Sequence, residues 1–237
     1  MLWNAGLAGL LAVALPSCAS SPSGAPKKGP GGSLAAQYNS YDTTAYRPKN
    51  PSNVRVKVSL QNQMVYVMEG SQPLLVTPTC AGTASNPTPK GNFRLGSKVK
   101  NRRSNSYGFF INSATNQVVP AKRSKRPSGS GWTYKGAPLG YWCPLSSKPA
   151  YGFHSGWVHP MPKSHGCLRL HKNIAPKFFD IVRAGTRVNI ANTQPEDATI
   201  GRNIPRPPSP ASLPDDPPSV SLTDLAFANN GSPLKDY

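Results

Sequence analysis

The chain has 237 residues, of which 37% are hydrophobic and 15% charged, and its formal net charge is +18. This length suits one domain of ordinary size with appendages and excludes an array of several large domains. The 27 prolines indicate that much of the length lies outside a packed core.

The N-terminal stretch has the pattern of an export signal. Residues 2–15 form an apolar run that ends at Pro16-Ser17-Cys18. Fourteen apolar residues are too few to cross a bilayer, but they suit the hydrophobic region of a secretory signal. Leu15-Pro-Ser-Cys18 resembles a bacterial lipoprotein cleavage box. We therefore predict a signal peptide over 1–17 and a lipidated Cys18, which would place an anchored protein in the periplasm or cell envelope. A plain signal that discards Cys18 is the alternative.

Two flanking segments show no apolar period. Residues 18–52 are rich in Ser, Gly, Pro, Ala and Asn, which is typical of a flexible linker. Residues 193–237 are rich in Pro, Ser and Asp and are predicted to be disordered. The folded domain is expected between them, over 53–192.

Alternating apolar residues in the middle of the chain predict a mainly β fold. Val54, Val56 and Val58 share one face of a half-buried strand, while Arg55 and Lys57 share the other. Further strands are predicted at Met64–Met68, Leu74–Thr79, Asn92–Leu95 and Thr186–Ile190, with weaker candidates at Phe109–Asn112 and Val118–Val119.

One helix is predicted, over Asn173–Ala184. Asn173 is suited to cap it, Pro176 lies in its first turn, and Gly185 follows its end. Its apolar side consists of Phe178, Phe179 and Val182.

The residues best suited to chemistry concentrate in Gly152–Leu170. This stretch holds one cysteine, three of the four histidines and an arginine. A thiolate is a nucleophile and a thiol is not, so a catalytic cysteine needs a base or cation nearby. The pattern favours Cys167 as nucleophile and His154 as its base. A lone cysteine is more often a buried, inert residue, but the clustering of histidines argues against that interpretation here.

Several runs resemble the L,D-transpeptidase catalytic domain (YkuD-type) family over about residues 53–191. They are Ser164-His-Gly-Cys-Leu-Arg-Leu170, Phe153-His-Ser-Gly156, Gln61-Asn-Gln-Met-Val-Tyr-Val67 and Thr88-Pro-Lys-Gly-Asn-Phe-Arg-Leu95. The resemblance implies a YkuD-like β-sandwich or barrel with one short helix after the nucleophile motif. The gap from His154 to Ser164 is shorter than the family pattern, and His159 has no counterpart in it.

The resemblance also implies roles for the site residues. Cys167 would be the nucleophile and His154 the base, with the Ser155 carbonyl orienting the imidazole. His165 and Gly166 would line the acyl site, where backbone amides act as oxyanion donors. Substrate contacts are implied for Ser164, for Arg169 through a substrate carboxylate, and for the groove aromatics Tyr141 and Trp142, of which Tyr141 is the better candidate for the wet side.

The basic stretch 96–140 is glycine- and serine-rich and is predicted to form loops. They would be either a solvated surface or a lid over the substrate. Nucleic acid is not expected as a partner, because an exported protein meets little of it and no nucleic-acid-binding motif is present. Anionic wall polymers suit the charge better.

The other cysteines and the histidines show no zinc-site spacing, and no metal or organic cofactor is predicted. Cys80 and Cys143 either form a disulfide in an exported domain or remain buried thiols, and the sequence leaves both open.

The predicted activity is transfer of a peptidoglycan tetrapeptide stem through a Cys167 thioester to an acceptor amine of another stem or of a wall protein. Transfer to another stem would make a 3–3 crosslink. The alternatives are an L,D-carboxypeptidase of the same fold, a non-catalytic wall-binding lipoprotein, and a papain-like or NlpC-type peptidase. In the peptidases the cysteine precedes the histidine, which is the reverse of the order here.

Overall fold

Two five-stranded sheets enclose the core in the computed structural model, which describes residues 32–229 and 231–237. The predicted signal peptide, Cys18 and the linker before residue 32 lie outside the described residues. Within the described part, no helix has the length and apolar character needed to span a membrane.

The first sheet has the strand order β3-β2-β1-β10-β4. Strands β1 and β10 are parallel, and the other neighbours are antiparallel. As predicted, Val54, Val56 and Val58 are buried on the core face of β1. The strands are β1 (Val54–Ser59), β2 (Met64–Glu69), β3 (Gln72–Pro78), β4 (Gly91–Arg94) and β10 (Arg187–Ala191).

The second sheet has the strand order β6-β5-β7-β8-β9. Its last pair, β8 and β9, is parallel, and the others are antiparallel. The strands are β5 (Val99–Asn112), β6 (Val118–Lys122), β7 (Trp132–Leu145), β8 (Lys148–Ser155) and β9 (Leu168–Leu170). The predicted mainly β fold is confirmed.

The loops predicted over 96–140 are largely replaced by strands, because β5 and β7 are long and paired. The weaker strand candidates at Phe109–Asn112 and Val118–Val119 are confirmed as parts of β5 and β6. The glycines that suggested loops allow these strands to approach closely. A Cβ on Gly108 would lie 2.3 Å from the Lys135 carbonyl oxygen, and one on Gly136 would lie 2.0 Å from the Ser104 oxygen. Glycine inside a strand often marks such an approach.

The predicted helix exists but is shorter, as α2 (Ala175–Ile181). Asn173 does not cap it, since its side-chain amide donates to the carbonyl oxygens of Asn39 and Tyr41, each at 2.9 Å. Val182 is already extended, so Gly185 lies in the following turn and does not end the helix. The remaining helices are α1 (Leu34–Ser40), α3 (Pro218–Ser221) and 3-10 turns at Pro51–Asn53, Pro195–Ala198, Pro210–Ser212 and Asp224–Phe227.

The flanking segments pack on the domain, which corrects the predicted flexibility of 32–52 and the predicted disorder of 194–237. Tyr38 of α1 is 3% exposed and Phe227 is 8% exposed. Tyr46 and Lys235 form an isolated parallel bridge. Single aromatic anchors and scattered hydrogen bonds hold these segments, and such contacts leave no periodic pattern in the sequence.

A buried lysine joins both segments to helix α2. The Lys177 side chain is 2% exposed, and its ammonium donates to Asp42 Oδ1 at 2.5 Å and to the Thr43 carbonyl at 2.5 Å. Its third bond, at 2.9 Å, goes to the Ser232 hydroxyl. All three donors of the ammonium are therefore satisfied, which a buried cation requires.

Replacing the counter-charge should destabilise the fold. In Asp42→Asn the Lys177 ammonium would stay buried without an anion, and we expect a loss of about 3 kcal/mol in the free energy of unfolding. Urea unfolding measures it. Asp236→Asn is the matched control, because the Arg47–Asp236 pair is exposed and its loss should leave the midpoint nearly unchanged. Equal effects of the two variants would contradict this role for Lys177.

Candidate functional site

The parallel pairing of β8 with β9 brings two of the predicted site residues, His154 and Arg169, to one face. His154 lies opposite Arg169, and Phe153 lies opposite Leu168. Side chains alternate along a strand, so Phe153 and Leu168 enter the core while His154 and Arg169 share the other face. Cys167 directly precedes β9, and its thiol contacts β8 at Ala150.

His154 is held as a neutral imidazole. It is 7% exposed, and its Nδ1 lies 2.7 Å from the Ser155 carbonyl oxygen. A carbonyl only accepts, so Nδ1 carries the proton and Nε2 has a free lone pair. Burial lowers the pKa of His154 to about 4; the Ser155 bond opposes this shift and the Arg169 charge adds to it. At neutral pH the ring is therefore an unprotonated base.

The Cys167 thiol is half-buried, with Sγ 3.7 Å from the Ala150 carbonyl oxygen. Burial raises its pKa, while the Gly152 backbone and the Arg169 charge act in the opposite direction. The resting thiol is therefore protonated. The site therefore contains a protonated thiol and a neutral imidazole.

A tight turn over residues 164–167 sets the backbone of Cys167. The Ser164 hydroxyl donates to the Cys167 carbonyl at 2.5 Å and accepts from the Gly166 amide at 3.0 Å. Ser164 is 2% exposed, and its hydroxyl shapes the turn through these two hydrogen bonds. Gly166 has φ 105°, and a Cβ there would lie 2.6 Å from the Tyr151 ring.

Thr88 and Gly82 clamp this turn, and the sequence analysis assigned neither of them to the site. The Thr88 hydroxyl donates to the Gly166 carbonyl at 2.9 Å and accepts from the Gly82 amide at 2.9 Å. A Cβ on Gly82 would lie 2.7 Å from Gly166 Cα. The run that begins at Thr88 was part of the family resemblance, and it was the available signal for this contact.

Tyr107 of β5 connects the basic stretch 96–140 with the site. Its ring stacks on His165 with centroids 4.4 Å apart, and the Lys122 ammonium lies 5.5 Å from the Tyr107 centroid. Desolvation lowers the pKa of the exposed His165, and the Arg169 and Lys122 charges add to this. His159 is half-buried, and its pKa is also lowered by burial and by the Lys163 and Arg169 charges.

Both of the predicted groove aromatics are buried. Trp142 is 3% exposed, and its ring centroid lies 6.0 Å from that of His154. Tyr141 has φ 58°, an uncommon value for a non-glycine residue. Its ring packs edge-on against Phe179, and its hydroxyl accepts from Asn229 Nδ2 at 2.7 Å. Trp142 therefore adjoins the imidazole, and Tyr141 is committed to α2 and the C-terminal segment.

Arg169 has no counter-ion within the described parts of the chain. Its guanidinium makes no ion pair or hydrogen bond with residues 32–229 or 231–237. Gly156 gives it room, since a Cβ there would lie 3.2 Å from Arg169 Cδ. A half-buried guanidinium without a partner is suited to an incoming carboxylate.

Both remaining cysteines in the described part are buried free thiols, so the disulfide alternative does not hold here. Burial raises the pKa of Cys143 to about 12. Within the same residues, no group of three or more His, Cys, Asp and Glu side chains is placed to hold a metal ion.

A family model describing the L,D-transpeptidase catalytic domain (YkuD) matches residues 53–190, which is more than half of the chain. The chain therefore belongs to the L,D-transpeptidase catalytic domain family. A comparison with curated proteins gave no match.

A comparison with solved structures gave matches that include three L,D-transpeptidases. The enzyme from Stackebrandtia nassauensis is 20% identical, with a TM-score of 0.42 and 69% of each chain covered. The Mycobacterium smegmatis enzyme is 18% identical, with a TM-score of 0.43, and the match covers 59% of this chain and 58% of that one. L,D-transpeptidase 1 of Mycobacterium tuberculosis is 23% identical, with a TM-score of 0.40 and coverage of 58% and 60%. The assignment to the family depends on the family match and not on these likenesses.

Removing the Thr88 hydroxyl should loosen the turn. Thr88→Val would leave the Gly82 amide and the Gly166 carbonyl without their partner, and we expect a loss of about 2 kcal/mol in the free energy of unfolding. Urea unfolding tests this. The matched control is Thr83→Val, since the Thr83 hydroxyl meets only Ser85 at an exposed position. The clamp is refuted if the control costs as much as Thr88→Val.

Proposed function

We propose that this protein is a peptidoglycan L,D-transpeptidase that acts through a thioester on Cys167. Membership of the family supports the proposal. The observation that carries it is the imidazole of His154, which Ser155 fixes in the tautomer that leaves Nε2 free. This imidazole shares a sheet face with Arg169, and Cys167 lies two residues before Arg169.

In the first half-reaction His154 Nε2 takes the proton of the Cys167 thiol as Sγ attacks a stem carbonyl. That carbonyl follows the L-centre of the diamino acid at position three of the donor stem. The carbon–nitrogen bond to the terminal D-alanine breaks, and the imidazolium gives its proton to the leaving amine. The products are a thioester and free D-alanine.

In the second half-reaction an acceptor amine attacks the thioester. His154 takes the proton of the amine, the new amide bond forms, and Sγ leaves and is reprotonated. An amine of another stem gives a 3–3 crosslink, and an amine of a wall protein gives an anchored protein. Water as acceptor would give the carboxypeptidase reaction.

The resting charges favour general-base catalysis over a preformed ion pair. Burial holds the pKa of His154 down and that of Cys167 up. Proton transfer therefore accompanies the attack, and the neutral thiol is protected from premature reaction.

The amide of Cys167 is the candidate oxyanion donor. The Gly166 amide was the other candidate, but it is bonded to the Ser164 hydroxyl. The Gly166 carbonyl is likewise bonded to Thr88. Gly166 thus acts by its backbone shape, which aims the next amide at the position of the developing oxyanion.

Arg169 is the proposed contact for a stem carboxylate. No Asp or Glu occurs in the sequence between Glu69 and Asp180, so the β8–β9 region carries only basic charges. No acidic side chain from this stretch of the sequence competes with a substrate carboxylate for the Arg169 guanidinium. A wall substrate also implies export, and the signal peptide and the Cys18 anchor remain part of this proposal.

The test is intact-protein mass after incubation with a disaccharide tetrapeptide. We expect a Cys167 adduct smaller than the substrate by the mass of D-alanine, with release of D-alanine. Cys167→Ala should abolish the adduct, and His154→Gln should slow its formation by about 10²–10⁴-fold.

Cys143→Ala is the matched control, because Cys143 is a buried thiol of raised pKa and its loss should leave the adduct unchanged. The enzyme proposal fails if folded protein gives no adduct, or if the adduct survives in Cys167→Ala. Adding a second stem distinguishes crosslinked dimer from the hydrolysed tripeptide.

A further inference from the structure

A polar groove lies on the first sheet, away from strands β8 and β9 of the candidate site. It has a volume of about 530 Å³ and runs across β1, β10 and β4 up to the turn between β7 and β8. Its lining side chains are mainly cations, amides and hydroxyls: Arg55, Lys57, Arg94, Arg187, Asn92, Asn189, Ser146 and Ser147.

Strand register aligns three arginines into a row across this groove. Arg55 lies opposite Arg187 in the β1–β10 pair, and Arg187 lies opposite Arg94 in the β10–β4 pair. Neighbouring strands are about 4.8 Å apart, so the row spans about 10 Å. The buried valines of β1 face the core, and Arg55 therefore points outward with its two partners.

Amides form a second row, two residues further along the strands. Lys57 lies opposite Asn189, and Asn189 lies opposite Asn92. Gln194 donates to Asn189 at 2.8 Å, and Asn189 donates to Asn92 at 2.8 Å. This chain of amides fixes the orientation of Asn92, whose nitrogen is a donor at the exposed end of the row.

The arginine row is not neutralised by the protein. Like charges directly opposite one another destabilise a sheet, and an acid nearby would relieve them. Lys57 has such a partner, Glu196 at 2.5 Å. None of the three arginines pairs with an acid in the described part of the chain, and no Asp or Glu lines the groove.

The backbone contacts of the row leave its charge exposed. Arg55 donates to the Gly70 carbonyl at 2.5 Å, and Arg94 donates to the Gly185 carbonyl at 3.0 Å. The Arg187 guanidinium has no hydrogen bond or ion pair within residues 32–229 or 231–237. Two guanidinium groups are thus oriented by the fold while the central one is left for a ligand.

We propose that this groove binds an anionic, carboxylate-bearing glycan strand of the wall. A line of separate guanidinium forks suits carboxylates spaced along a polymer, and the amide and hydroxyl donors between them suit sugar oxygens. Phe93, the aromatic residue of the groove, packs against the core, so no ring is presented for base stacking. The inference rests on the proposed function, and it assigns a second contact on the same polymer.

The test is binding of soluble, uncrosslinked peptidoglycan strands to the full chain, measured by fluorescence anisotropy. The triple variant Arg55→Gln, Arg94→Gln, Arg187→Gln should bind at least about tenfold more weakly. The control triple Arg123→Gln, Lys125→Gln, Arg126→Gln removes the same charge from an exposed cluster and should change the affinity less than about twofold.

The chemistry of the ligand is tested with two further probes. Strands whose carboxylates have been converted to amides should lose the contribution of the groove, so that wild type and groove variant bind them alike. Polyphosphate should bind no more tightly than the untreated strands. The proposal is overturned by equal losses in the two triple variants, by undiminished binding of amidated strands, or by a clear preference for polyphosphate.

Folding and chemistry are checked separately. The groove variant should unfold at the same or a higher temperature than wild type, since it relieves like-charge contacts. It should also form the Cys167 adduct with a single disaccharide tetrapeptide at the wild-type rate. In Cys167→Ala, strand binding should persist. If no Cys167 adduct forms but strand binding depends on the groove arginines, only the catalytic proposal is refuted. If the adduct forms but strand binding does not depend on these arginines, only the groove proposal is refuted.

Discussion

The parallel pairing of β8 with β9 is the constraint on which the candidate site depends. Because His154 lies opposite Arg169, the imidazole and the guanidinium share one face of the sheet. The preceding residues, Phe153 and Leu168, enter the core. A slip of one residue would reverse both faces. The turn before β9 then decides where Cys167 lies, and this turn is fixed by Thr88 and Ser164 through hydrogen bonds to backbone groups. The geometry of the thiol thus depends on side chains that need not touch a substrate.

Charge is distributed unevenly over this scaffold. The acids lie at the two ends of the sequence, and some of them hold the flanking segments, as Asp42 does with Lys177 and Asp197 does with Tyr66. The stretch between Glu69 and Asp180, which includes Arg169, is left without acidic residues. In the described part of the chain, the row centred on Arg187 also lacks acidic partners. Burial favours the neutral forms of His154 and Cys167, because a buried imidazolium or thiolate loses its hydration. The nearby positive charge of Arg169 adds to this effect at His154 and opposes it at Cys167.

The sequence predicted the strands of the first sheet well, because they are encoded locally. Alternation gives the core face of β1, and a short motif surrounds Cys167. Predictions failed where a distant contact decides the outcome. Asn173 is a good capping residue by type, yet it bonds two carbonyls near α1. Gly108 is typical of a loop, yet it lets β5 and β7 pair closely. Tyr141 is committed to contacts with Phe179 and Asn229, which no local side-chain pattern indicates.

The protonation state of His154 tests the account most directly. Nitrogen-15 NMR of the imidazoles, with His154→Gln for assignment, reports both tautomer and charge between pH 7 and pH 4. The account predicts a neutral ring with the proton on Nδ1 at pH 7, which takes up a second proton only as the pH approaches about 4. An imidazolium at neutral pH, or a proton on Nε2, would contradict the neutral pair and the general-base mechanism built on it.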